Sequence, residues 1–154
     1  AENVDDRTCL ARILAGLGEV AERLPIILPL HPRTCASIDA HGLRNSIAPG
    51  IRVVDPIGFL DMLLLEAEAA LILTDSGGVQ KEAFFQCTPC VTLRTETEWV
   101  ELLPGGHNRL ARPGIDSISA KAHEALDSKP VWNIPLYGDG HSSETIARAL
   151  VEVK

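Results

Sequence analysis

Ser76, Gly77, Gly78 and Glu82 carry the densest binding chemistry in the sequence, within the run Leu-Ile-Leu-Thr-Asp-Ser-Gly-Gly-Val-Gln-Lys-Glu-Ala at 71–83. The run reads as a buried strand that turns through two glycines into a helix. Asp75 and Ser76 can cap that helix, and the glycines let a ligand approach the backbone closely. Unpaired N–H groups and the positive end of the helix dipole then face any anion placed there, a phosphate above all. Glu82 follows Gly78 by one turn on the same helix face, where a carboxylate accepts from hydroxyls and repels phosphate. Two plainer readings fit the same residues: a strand-to-helix connection whose glycines serve tight packing, and a solvated helix carboxylate at 82.

Further candidates lie in other loops. His31 precedes Pro32, Asp55-Pro56-Ile57-Gly58 is a turn by composition, and Arg94 to Glu98 is a polar loop that leads into Trp99. Cys87-Thr-Pro-Cys90 invites a zinc or redox reading. A zinc site needs a second ligand pair, and a redox motif should open a helix, whereas Pro89 introduces the apolar run Cys90-Val-Thr-Leu. The expectation is two unrelated, half-buried thiols. No Walker motif, Gly-x-Gly-x-x-Gly or metal-ligand cluster occurs, so neither a bound cofactor such as NAD nor a catalytic metal is expected.

The elements that must position these residues follow from hydrophobic spacing. Leu10, Ile13, Leu14, Leu17, Val20 and Leu24 predict a helix over 5–24, stopped by Pro25. Strands are predicted at 26–30, 51–54, 70–73, 90–93 and 108–111. Helices are predicted at 34–41, 59–67, 79–86 and 117–126, with a last helix from about 140 to 151 and a turn or two near 99–103. Alternation of this kind implies an α/β fold, a Rossmann-like, mostly parallel sheet with helices on both faces. Ligands bind such sheets at the carboxyl ends of the strands. His31, Asp55, Ser76 and Arg94 all follow strand ends and should share one rim.

Bulk properties narrow the classes. A chain of 154 residues and 16.6 kDa suits one domain with a substantial core and no need of disulfides. A net charge of −7 argues against nucleic acid as a partner on a broad basic surface, but leaves room for a small anion held by local donors. No apolar run reaches the length of a membrane span and no signal-peptide pattern opens the chain, so a cytoplasmic protein without membrane attachment is expected.

The motifs resemble those of the non-hydrolysing UDP-N-acetylglucosamine 2-epimerases, in particular their C-terminal half. The matching pieces are Ala-Glu-Asn-Val-Asp-Asp at 1–6, Leu-Pro-Leu-His-Pro-Arg at 28–33, Asp-Pro-Ile-Gly-Phe-Leu-Asp at 55–61 and Leu-Thr-Asp-Ser-Gly-Gly-Val-Gln-Lys-Glu-Ala at 73–83. Pro-Cys-Val-Thr-Leu-Arg-Thr-Glu-Thr-Glu-Trp at 89–99 and Pro-Leu-Tyr-Gly-Asp-Gly-His at 135–141 complete the set. The resemblance implies two Rossmann-like domains in a GT-B-type arrangement, with the active site between them and this chain as the UDP-holding one. It implies that Ser76, Gly77 and Gly78 hold the diphosphate and that Glu82 bonds the ribose hydroxyls. The loop with Asp55, Pro56, Ile57, Phe59 and Met62 would cup the uracil, although core packing alone would also explain Met62.

On the same resemblance His31 lines the cleft, and Arg94, Glu98 and Trp99 face the sugar. A lone histidine before proline is more often structural, and that reading of His31 stays open beside the first. Many relatives carry a phosphate-contacting arginine directly after the glutamate, where this chain has Trp99. The Thr-Glu-Trp variant resembles the branch acting on modified sugars such as a UDP-linked 2,3-diacetamido uronic acid. The implied reaction inverts C2 by eliminating and re-adding UDP through a glycal, with the proton-moving carboxylates on the N-terminal domain and none in this chain. A homodimer is the expected assembly.

The resemblance further implies a central strand, ending in His-Arg, ahead of residue 1 and between the strands at 26–30 and 70–73. A gap is therefore expected between those two strands, filled by another segment or closed by rearrangement. Two other functions remain open: the donor-binding half of a glycosyltransferase, and a non-catalytic nucleotide-binding or assembly module. Many retaining transferases place a second glutamate eight positions after the first, where this sequence has Cys90.

Overall fold

The computed structural model describes residues 2–152. Its first elements are a short helix α1 (Glu2–Asp5) and helix α2 (Arg7–Ala21). The break between them has a local cause: the Asp6 carboxylate accepts from the Cys9 N–H at 2.6 Å, capping α2 and ending the single helix that the apolar spacing predicts. Strand β1 (Ile26–Pro29), helix α3 (Pro32–Ala40), strand β2 (Ile51–Val54) and helix α4 (Phe59–Glu68) follow. Strand β3 (Ile72–Thr74), helix α5 (Gly77–Phe85), and strands β4 (Cys90–Thr92) and β5 (Asn108–Leu110) make the second half. Helices α6 (Ile118–Leu126) and α7 (Ser142–Glu152) end the described chain. A single 3-10 turn at Val100–Leu102 stands for the short helix predicted near 99–103.

All strand pairs are parallel, as the alternation of elements requires. They form two sheets, ordered β1-β2 and β3-β4-β5. Helix α2 lays its apolar stripe across both. Ile13, Leu17 and Val20 share one buried cluster with Ile51 of β2, Val91 of β4, Leu93, and Ile118, Ala122 and Ala125 of α6. Each Leu, Ile or Val among them contributes about 1.5–3 kcal/mol by leaving water. Gly16 lets α2 and α6 close on each other, because a Cβ there would meet Ile118 Cδ1 at 2.8 Å.

β1 and β3 do not pair. Among the described residues β1 bonds only β2, and β3 bonds only β4, so alternate backbone groups along both strands face the space between the sheets. That space is a slot of about 600 Å³ with Ile26–Leu30 on one side, Leu71–Asp75 on the other and Leu10, Ile13, Leu14 and Leu17 of α2 along its floor. The expected gap is present. One strand in it would give a six-stranded doubly wound order, and the slot lies where the order reverses, the place at which such sheets bind ligands.

The thiols depart from expectation. Cys90 is fully buried in β4, where burial pushes its thiol up to about 12, while Cys87 is exposed and has φ 57°. Neither is half-buried. Cys87 ends α5 in the left-handed conformation usually taken by glycine, and it has no disulfide.

Candidate functional site

One short helix ties together the carboxyl ends of the two sheets. Asp5 at the end of α1 accepts from Arg33, beyond β1, at 2.8 and 2.9 Å. Asn3 donates at 2.7 Å to the Leu93 carbonyl, just past β4, and at 3.4 Å to Asp75, just past β3. These bonds hold the loops after β1, β3 and β4 on one rim.

The turn after β3 is the centre of that rim. Helix α5 begins at Gly77, two residues earlier than the hydrophobic spacing suggests, so Gly77 and Gly78 form its first turn and Ser76 its N-cap. The expected side-chain capping is not made. Thr74 Oγ1 instead accepts from the Ser76 N–H at 3.0 Å, leaving the exposed Ser76 hydroxyl beside the first N–H groups of the helix. A Cβ on Gly78 would meet nothing nearer than Ser76 Oγ at 3.9 Å, so the surface over Gly78 is open. Hydroxyl, free N–H groups and helix dipole together form a seat for an anion.

A buried polar network fixes this turn from beneath. Gln80 is fully buried; its Nε2 donates to the Ser76 carbonyl at 3.3 Å, and its Oε1 accepts from Thr97 Oγ1 and from Asn108 Nδ2. Asn108 Oδ1 in turn accepts from Thr92 Oγ1 at 2.9 Å. These bonds join α5, β4, β5 and the loop 94–98 in a dry interior, where a satisfied network specifies one arrangement. Sequence reading missed Gln80 and Asn108. Their only signal was a polar residue at a position whose helical or strand period points inward.

Trp99 holds the turn from the side, its indole Nε1 donating to the Gly77 carbonyl at 2.7 Å. The Lys81 ammonium lies over the Trp99 and Tyr137 rings, 4.5 and 4.3 Å from their centroids. Arg94 pairs with Glu98 through two bonds of 2.9 and 3.0 Å, which hold the Glu98 carboxyl below its usual range. Glu98 stands over Gly77, since a Cβ there would approach its Oε1 at 3.3 Å. Arg94, Glu98 and Trp99 thus gather at the Ser76 turn.

Glu82 is half-buried on α5 beside Glu66 of α4. Asp55, Pro56 and Phe59 are exposed on the neighbouring loop and Ile57 is half-buried, while Met62 lines the slot between the sheets. His31 is exposed, and its Nδ1 accepts from the Arg33 N–H at 3.2 Å, capping α3. It therefore has a structural task, whatever else it does. Among the described residues no group of His, Cys, Asp and Glu is placed to hold a metal ion, and no helix is long and apolar enough to cross a membrane.

A match over nearly the whole chain decides what this architecture is. The family profile described as UDP-N-acetylglucosamine 2-epimerase matches residues 1–151. The chain belongs to that family. Within it, the chain is 44% identical over 154 residues to the UDP-2,3-diacetamido-2,3-dideoxy-D-glucuronate 2-epimerase of Pseudomonas aeruginosa, covering 99% of this chain and 42% of that protein. It is 38% identical over 154 residues to the UDP-N-acetylglucosamine 2-epimerase of Methanocaldococcus jannaschii, again covering 42% of the relative. The crystal structure of the M. jannaschii epimerase in complex with UDP-GlcNAc and UDP superposes with a TM-score of 0.89, over 98% of this chain and 42% of that one. The chain thus spans about two-fifths of the length of the epimerases it matches, and its fold is that of part of a GT-B-type epimerase.

Proposed function

We propose that this chain is the nucleotide-holding half of a UDP-sugar 2-epimerase. The observation that carries the reading is the Ser76-Gly77-Gly78 turn: an exposed hydroxyl, open glycine surface and a helix N-terminus at the carboxyl end of β3, in a member of a UDP-sugar epimerase family. In this reading the turn receives the diphosphate, Glu82 accepts from the ribose hydroxyls, and the loop from Asp55 to Met62 borders the uracil. Arg94 and Glu98 face the sugar, and Trp99 sets the turn. His31 stays on the cleft side of the rim.

The reaction removes the proton from C2 while the C1–O bond to UDP breaks, which leaves a C1–C2 double bond in a glycal. Re-addition of UDP to C1, with a proton delivered to the opposite face of C2, gives the epimer. This chain stabilises the leaving diphosphate, and carboxylates of an N-terminal half move the proton. A strand from that half would fill the slot between β1 and β3, and the exposed apolar face of α7, with Ile146, Leu150 and Val151, would pack against it. The substrate assigned is a UDP-2,3-diacetamido uronic acid, supported by the 44% identity to the P. aeruginosa epimerase and by the Thr-Glu-Trp loop. The protein works in the cytoplasm as a homodimer, which light scattering would test. In place of the second glutamate of a retaining transferase, Cys90 is buried in β4.

Calorimetry of the full-length polypeptide with UDP tests the nucleotide site. Binding that is lost in S76A and weakened in E82A supports the reading, and wild-type affinity in both variants rejects it.

A further inference from the structure

Glu66 belongs to no part of the site described so far. It sits in α4, the helix that carries the proposed uracil loop, and is only 2% exposed. Both carboxyl oxygens are buried without a hydrogen-bond partner in the arrangement seen. Such a group is costly to leave unsatisfied. Its backbone is pinned, because Thr88 Oγ1 donates to the Glu66 carbonyl at 2.8 Å. The ionisable neighbour on α5 is Glu82, and that on β4 is the Cys90 thiol, which burial keeps neutral. On the slot side, α2 and β1 present apolar side chains.

Helix α4 packs on α5, and a buried carboxyl set beside another carboxylate favours its neutral form. Burial first, and the Glu82 charge second, raise Glu66 to about 7. Glu82 is the more exposed of the two and is the better place for the charge.

We propose that Glu66 is a positioning residue for the ribose: its buried carboxyl donates an O–H hydrogen bond to the Glu82 carboxylate and fixes that carboxylate to receive the ribose hydroxyls. The inference rests on Glu82 being the ribose acceptor. It couples the helix of the uracil loop to the helix of the diphosphate turn, so that base and ribose are met by one braced unit. The Cys90 thiol, buried in β4, is a weak donor and no substitute for this bond.

The test is calorimetry of the full-length polypeptide with UDP-glucose at pH 6 and pH 9, a probe whose diphosphate diester lacks the terminal-phosphate ionisation near neutrality. The expected wild-type affinity falls about tenfold from pH 6 to pH 9, as Glu66 loses its proton and repels Glu82. Glu66→Gln, whose amide N–H can still donate, keeps the pH 6 affinity and loses the slope. Glu66→Met binds about tenfold more weakly at pH 6, also without a slope. A wild-type slope retained in Glu66→Gln, or Glu66→Met with wild-type affinity at pH 6, overturns the proposal alone. A wild type that does not bind UDP-glucose overturns the nucleotide reading, and this inference with it.

Discussion

The indole N–H of Trp99 donates to the Gly77 carbonyl at 2.7 Å, tying the loop after β4 to the turn after β3. Where many relatives are expected to place an arginine on the phosphate, this chain places a brace on the backbone that would hold it. Removing the bond while keeping an aromatic ring, as in W99F, should weaken UDP binding about five- to tenfold, the worth of one hydrogen bond. Isothermal calorimetry would measure it, and urea unfolding should show a loss of about 1 kcal/mol beside it, since the bond is already made without ligand.

Gly78 separates binding from folding. Because the surface above it is open, G78A should leave stability within about 0.5 kcal/mol of wild type, helped by the better helix propensity of alanine. The added methyl would occupy the anion seat, so UDP affinity should fall more than tenfold. Parallel denaturation and binding curves check both halves of the expectation.

Gln80 should behave in the opposite way. Q80L leaves the Asn108 amide, the Thr97 hydroxyl and the Ser76 carbonyl without their shared partner, and should cost about 2–3 kcal/mol of stability. Affinity should fall as well, since this side chain bonds the turn from beneath. Chemical denaturation of the full-length polypeptide measures the first effect.

Glu66 gives stability a pH dependence of definite sign. Its folded value lies above the ordinary 4.5, so the native state holds the proton more tightly than the unfolded chain. The contribution is fully present below about pH 4.5 and is lost as pH rises towards 7. It amounts to about 3 kcal/mol at most. E66Q should flatten this part of the profile in thermal unfolding followed between pH 5 and pH 8.

Much of this was readable from residue spacing. The apolar stripe of α2 and the strand cores at Ile51–Val54 and Cys90–Thr92 fall where periodicity puts them, while the slot between β1 and β3 was implied by the family resemblance and not by spacing. Boundaries shifted where side chains capped differently from the pattern, at Asp6 and at Ser76, because an N-cap is decided by a single hydrogen bond. The second layer of the site was not readable. Gln80, Asn108 and Glu66 act through burial and through partners 16 to 28 residues distant, as in the bonds from Asn108 to Thr92 and Gln80. Tertiary packing sets those relations, and no local period announces them.

The central claim is tested most directly by NMR of the full-length polypeptide with a UDP-2,3-diacetamido uronic acid in deuterated water. The account predicts a product inverted at C2 and carrying deuterium there, with turnover depressed in G78A. Recovery of unchanged sugar without deuterium, from protein that demonstrably binds it, would contradict the account.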